Sequence, residues 1–196
     1  MQKLVIASNN PGKLREFQHM LEPLDIEVVT QAQLGISEAE EPHVTFIENA
    51  LAKARHVSKL SGLPALADDS GICVTALGGA PGVYSARYAG DSPKSDQANN
   101  DKLMQAMQGV TDRRAHYYCV LVLVRHADDP QPVIAEGEWH GEIAHQEQGE
   151  GGFGYDPLFW LPELGKMSAE LSRDQKHAIS HRGRAMQVLL EKLRYE

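Results

Sequence analysis

The chain has 196 residues, a hydrophobic fraction of 42% and a formal net charge of −8 at pH 7. One domain spanning 1–196 is the expectation, with apolar content sufficient for a proper core and room for two lobes. The acidic balance argues against a general grip on a nucleic-acid polymer, which needs a basic face, but it leaves room for a local nucleotide pocket.

Lys3–Ala7 reads as a short buried strand. Ser8-Asn9-Asn10-Pro11-Gly12-Lys13 follows, and Asn10 can cap a helix that has Pro11 at its first position. Leu14, Phe17 and Leu21 then share one face. A strand, polar loop and helix start offer N–H groups and a dipole to phosphate, and Lys13 adds a full charge. The segment is neither a Walker loop nor the Rossmann glycine pattern. The plain alternative is a routine turn with a surface lysine. Ile26–Thr30 reads as a second strand. The loop Gln31–His43 carries Glu38, Glu40 and Glu41, either solvated or a source of carboxylate oxygen for a hard cation.

Thr45-Phe-Ile-Glu48 has the spacing of a capping box. Phe46, Ile47, Ala50, Leu51, Ala54 and Val57 keep helical period until Gly62 stops the run. Asn49 and Lys53 are one turn apart, so they share a face. Lys53 either pairs with a carboxylate or phosphate, or is solvated.

Leu66-Ala-Asp68-Asp69-Ser70-Gly71-Ile72 reads as strand, acidic corner, strand. Ser70 and Gly71 are turn residues. Two carboxylates in a dry core are costly, so they are expected at an exposed turn or on a cation. The working hypothesis is Mg²⁺ beside a phosphate-bearing ligand. The alternative is a solvated acidic turn.

Ile72–Leu77 reads as the strand after that corner, and Gly78–Gly82 as a loop. Arg87 either reaches phosphate or stacks on Tyr84 or Tyr88. After the polar connection Ala89–Asp96, Ser95 or Asp96 can cap a helix bearing Leu103, Met104 and Met107. Ala115–Arg125 should be a central strand, with Val133–Ile143 as its hairpin partner.

The Gly-rich loop Gln148–Pro157 contains Phe153, Gly154, Tyr155 and Asp156. Glycines let backbone approach a ligand, Phe153 can stack on a flat base, and Asp156 can read a base edge. Leu158–Leu161 is an apolar patch, either core or a subunit surface. Ser172-x-x-Gln175 is a second capping box. Lys176, His181 and Arg182 lie in a polar bend before a last helix whose apolar face is Val188, Leu189 and Leu193.

Cys73 and Cys119 lie inside apolar runs and read as buried thiols. No His-Glu-x-x-His, Cys/His cluster or Gly-x-Ser-x-Gly elbow occurs, so zinc and serine-hydrolase chemistry find no support. No signal-peptide pattern is present, and no run approaches the roughly 20 apolar residues of a membrane span. A cytoplasmic protein is the expectation.

Taken together, Ser8-x-Asn10-x-x-Lys13, Thr45-Phe-Ile-Glu-Asn-Ala, Ala67-Asp-Asp-Ser-Gly, Gly78-Gly-Ala-Pro-Gly-Val-Tyr-Ser-Ala-Arg-Tyr, Gly151-Gly-Phe-Gly-Tyr-Asp-Pro and Ile179-Ser-His-Arg-Gly resemble the inosine triphosphate pyrophosphatase family. The motifs run in the same order from Lys3 to about Leu193. The resemblance implies an α/β fold: a mixed long central sheet flanked by helices, in two lobes with the active site in the cleft between them. It also implies a homodimer and Mg²⁺-dependent hydrolysis of ITP, dITP, XTP and dXTP to the monophosphate and pyrophosphate. Asp69 would be metal ligand and proton acceptor, with Asp68, Glu40 and Glu41 as further metal-ligand candidates. Substrate contacts would come from Ser8, Asn9, Asn10, Pro11, Gly12, Lys13, Lys53, Ser70, Phe153, Gly154, Tyr155, Asp156, Lys176, His181 and Arg182. The rivals are a pyrophosphatase of modified pyrimidine triphosphates, a non-catalytic nucleotide-binding regulator and a phosphosugar or phosphoester hydrolase with a Mg²⁺–Asp site.

Overall fold

In the computed structural model, which describes residues 2–22 and 26–194, the strands join in one sheet. The order is β2 (Glu27–Thr30), β1 (Lys3–Ile6), β3 (Ala65–Val74), β4 (Arg114–Val124), β5 (Val133–Ile143), β6 (Phe159–Leu161) and β7 (Lys166–Met167). β1 runs parallel to both β2 and β3, whereas β6 is antiparallel to β5 and β7. The sheet is therefore mixed, as expected. The helices are α1 (Pro11–Leu21), α2 (Phe46–Ser61), α3 (Asp96–Ala106), α4 (Arg173–Ile179) and α5 (His181–Leu193).

The chain groups into two compact units. The first comprises Met1–Asp69, Cys119–Glu136 and Ala185–Glu196. Its core joins Leu4 and Ile6 of β1, Phe17 and Leu21 of α1, Leu121 and Leu123 of β4, and Leu189 of α5. Leu4, Val5 and Ile6 are wholly buried because β1 is an interior strand with both sheet faces covered. The second unit comprises Ser70–Tyr118 and Gly137–Arg184. Its core holds Ile72, Val74, Leu103, Met107 and an aromatic group in which Tyr117 meets Phe159 edge-on, with ring centroids 4.8 Å apart.

The local signals act where they were read. Asn10 caps α1 with Pro11 in its first turn, and Gly62 closes α2 in the left-handed region at φ 68°. The Thr45 hydroxyl accepts from Glu48 N at 3.4 Å. The box is not the reciprocal one expected, because the Glu48 carboxylate accepts from the Thr45 hydroxyl instead of from a backbone N–H. Ser172 and Gln175 do form the full box at α4. Thr45→Ala is expected to lower stability by about 1 kcal/mol. Urea unfolding measures this, and an unmoved midpoint would contradict the cap.

Three expectations fail. Leu66–Ile72 is not strand, corner, strand: β3 runs unbroken from Ala65 to Val74, and Asp68 and Asp69 are buried within it. The following stretch leaves strand geometry after Val74, where Thr75–Leu77 forms a 3-10 turn. The polar bend Lys176–Gly183 is mostly helical, since Lys176 lies in α4 and His181 begins α5. The Leu158–Leu161 patch resolves to core, with Leu158, Phe159 and Leu161 buried.

Candidate active site

In the first unit the parallel register sets the geometry. Ile6 pairs with Leu66, and Ala7 N donates to Leu66 O at 2.8 Å. The loop leaving β1 therefore runs alongside Asp68. At such carboxyl ends of parallel strands, loops and helix starts gather polar groups. Lys13 Nζ lies 2.9 Å from Asp68 Oδ2. Asn9 and Pro11 are exposed, and Ser8 and Gly12 half-buried.

The α1 N-terminus is less open than its sequence suggests. Asn10 Oδ1 accepts from Gly12 N at 2.9 Å and from Lys13 N at 3.1 Å, while Pro11 has no N–H. What this turn offers an anion is its dipole and the Lys13 ammonium, rather than unfilled N–H groups.

Asp68 and Asp69 are consecutive strand residues, so their side chains leave opposite faces. Lys53, from α2, serves Asp69. Its ammonium bridges Asp69 Oδ1 at 3.2 Å and Glu41 Oε1 at 2.5 Å. The acidic loop reaches this point because Asn49 holds its end, accepting from His43 N at 3.0 Å and donating to His43 O at 3.1 Å. His56 adds a 3.0 Å bond to Ser37 O. Glu38 and Glu40 of the same loop are exposed.

Burial is the largest influence on Lys53 and favours the neutral amine. The charges of Asp69, Asp68 and Glu41 outweigh it and hold the ammonium above its ordinary range. Burial dominates at Asp69 as well and raises its carboxyl, against the pull of Lys53 and Lys13. Asp69 Oδ2 is buried and has no hydrogen-bond partner among the described residues. Two carboxylates bridged by a cation, one with an unfilled inward oxygen, form an all-oxygen donor set that fits a hard divalent ion.

In the second unit the Gly-rich loop is tied down from within. Asp156 is 2% exposed. Its Oδ2 accepts from Phe153 N at 2.9 Å and from Lys176 Nζ at 2.6 Å, and its Oδ1 from Ser168 Oγ at 2.8 Å. This is the geometry of a residue that holds Phe153 and Lys176, rather than one reaching out to read a base. Lys176 Nζ also stands 4.7 Å from the centre of the half-buried Phe153 ring. Tyr155 is buried beneath the loop and donates to Ser85 O at 2.7 Å. Its burial pushes the phenol pKa upward.

His181 is buried and stacks on Tyr117, with centroids 4.7 Å apart and planes 11° apart. Arg182 Nη2 donates to Ser70 Oγ at 3.0 Å. Lys176, His181 and Arg182 thus present donors on well-packed helix positions. Arg87 takes the other reading open to it, its guanidinium carbon 5.3 Å from the Tyr84 ring centre.

Sequence reading missed the work of Asn49, Ser85 and Tyr117, and that of α3. Asp96 Oδ2 accepts from Gly154 N at 2.8 Å, and Asn100 Nδ2 donates to Gly154 O at 3.2 Å. A signal was present: two polar residues four apart on a helix share a face.

Comparison with known proteins is consistent along the whole chain. Residues 4–192 match the model of the Ham1 family. A curated relative from Ralstonia nicotianae, named dITP/XTP pyrophosphatase, is 65% identical over 196 residues, covering 99% of this chain and 98% of its own. A relative of the same name from Nitrosomonas europaea is 65% identical over 193 residues, covering 98% of this chain and 95% of its own. Among solved structures, a HAM1 protein from Coxiella burnetii superposes with a TM-score of 0.94 at 44% identity, covering 100% of both chains. The Staphylococcus aureus Ham1 protein superposes with a TM-score of 0.89 at 42% identity, covering 99% of both.

Proposed function

Because this chain belongs to the Ham1 family, we propose that it hydrolyses ITP, dITP, XTP and dXTP to the monophosphate and pyrophosphate. Its role is then to clear deaminated purines from the nucleotide pool. Relatives named dITP/XTP pyrophosphatase, 60% to 65% identical over nearly the full length, support the substrate class. The observation that carries the chemistry is Asp69, buried in mid-strand with Oδ1 on Lys53 and Oδ2 unfilled among the described residues.

In this reading Asp69 and Glu41, which share the Lys53 ammonium, would hold Mg²⁺. Asp68, paired with Lys13, and the exposed Glu40 are the further carboxylates proposed for the ion. Mg²⁺, when bound, neutralises triphosphate charge and polarises phosphorus. Asp69 would take the proton from the attacking water. Lys13 and Lys53 turn from carboxylate to phosphate oxygen and steady the charge that develops on pyrophosphate.

The purine stacks on Phe153, and its 6-oxo group accepts from Lys176, His181 or Arg182. Adenine presents an amino donor there and would leave buried donors unpaired, a loss of about 1–3 kcal/mol each. GTP shares the 6-oxo acceptor, so its exclusion depends on the 2-amino position. The reading includes a homodimer, which the motif resemblance supports, and a cytoplasmic setting. No helix of the described residues is long and apolar enough to cross a membrane.

The test is product analysis with ITP, XTP, dITP, GTP and ATP, with Mg²⁺ and after its chelation. Monophosphate plus pyrophosphate from the inosine and xanthosine nucleotides, lost on chelation and nearly absent with GTP and ATP, is the expected result. Inorganic phosphate as product, or equal turnover of ATP, would overturn it.

A further inference from the structure

The ring of Phe153 rides on a segment whose neighbours, Gly151, Gly152 and Gly154, restrict it little. Gly154 itself sits at φ 62°, in the left-handed region. Such a loop in water samples many conformations, and a ligand that needs one of them must supply the ordering.

Here successive backbone groups are already fastened. Phe153 N–H is held by Asp156 Oδ2 at 2.9 Å. Gly154 N–H is held by Asp96 Oδ2 at 2.8 Å, and Gly154 C=O by Asn100 Nδ2 at 3.2 Å. Asp96 opens α3 and Asn100 lies one turn on, so a single helix face grips both sides of one residue. Ser95 fixes the start of that helix by accepting from Ala98 N at 3.2 Å. Gln97 Nε2, in the same first turn, reaches Glu147 Oε1 at 3.1 Å, just before the glycine run. Asn99 anchors α3 further back, accepting from Ala89 N at 2.7 Å and donating to Ala86 O at 3.3 Å.

We propose that Asp96 and Asn100 are positioning residues for base recognition, holding Gly154 so that the Phe153 ring is preset for the purine. This rests on the reading of the Phe153 loop as the base site. Neither residue touches the reacting phosphates. Their effect falls on binding of the base and not on the chemical step.

The experiment measures steady-state kinetics on ITP for the wild type, Asp96→Ala, Asp96→Asn and Phe153→Ala, with pyrophosphate as a product inhibitor. Asp96→Ala should raise KM for ITP about tenfold with kcat held within about twofold. Pyrophosphate has no base, so its inhibition constant should not move. Asp96→Asn keeps an oxygen acceptor for Gly154 N–H and should return KM close to the wild-type value. Asp96 is exposed on the first turn of α3, so the variants are expected to fold, and melting temperatures check this.

An unchanged KM in Asp96→Ala overturns the inference. So does a joint loss of KM, kcat and pyrophosphate inhibition, which marks a merely structural role. If Phe153→Ala also leaves KM for ITP unchanged, the base-site reading itself fails. If Phe153→Ala raises KM and Asp96→Ala does not, only the positioning role fails.

Discussion

Asp69→Asn is expected to lower turnover of ITP at saturating Mg²⁺ by about 10²–10⁴-fold, the range a positioned general base contributes. The substitution is nearly isosteric, so packing in β3 is preserved. It removes the proton acceptor and one charged oxygen of the donor set together. Lys53 keeps Glu41 as its partner, so no buried ammonium is stranded. Pyrophosphate release measures the rate, and circular dichroism should be unchanged. Undiminished turnover at saturating Mg²⁺ would remove Asp69 from the role of base. A parallel titration of Mg²⁺ should show a weaker requirement curve in the variant, because a neutral amide is a poorer ligand for a hard cation.

Gly183→Ala is expected to lower stability by about 3 kcal/mol or more, the upper end of overpacking effects. A Cβ at Gly183 would lie 1.8 Å from the carbonyl oxygen of His177 and 2.9 Å from its carbon. That obstacle is backbone near the end of α4, which cannot swing aside as a side chain can. Gly183 N also donates to Ser180 Oγ at 3.2 Å, so the two helix ends are already in contact. Thermal unfolding measures the loss. KM for ITP should rise in whatever fraction stays folded, because the displaced turn carries His181 and Arg182. A melting temperature equal to that of the wild type would contradict the close approach. The glycine of Ile179-Ser-His-Arg-Gly is thus required by helix contact, not by turn geometry.

Features legible in the chain are those with local causes. Asn10-Pro11 starts a helix because a side-chain acceptor and a fixed φ act within a few residues. Gly62 stops one because a left-handed cap favours glycine. Val133–Ile143 alternates because one face of β5 is buried, and its observed bounds match the expected ones. The six motifs, read in order, pointed to the family that the comparisons then showed.

Where local preference and long-range contact disagreed, the contact prevailed. Asp68-Asp69-Ser70-Gly71 has the composition of a turn, yet it is mid-strand. Lys13 and Lys53 bring compensating charge to the two carboxylates from separate helices. Without such partners a buried carboxylate costs several kcal/mol, and a turn would have been the stable outcome. The place of Asp156 in a glycine-rich loop suggests a ligand-facing acid. Its packed position beside Lys176 and Ser168 turns it inward.

By itself, then, the sequence determined the helix ends, the buried strands and the chemical inventory: acids, lysines, and an aromatic among glycines. Each follows from interactions spanning a few residues or from side-chain chemistry alone. Only the tertiary structure decided which acid meets which lysine, that Glu41 shares Lys53 with Asp69, and that α3 grips Gly154. Those pairings join residues distant in the chain, and their energies depend on burial and distance, which no local pattern encodes.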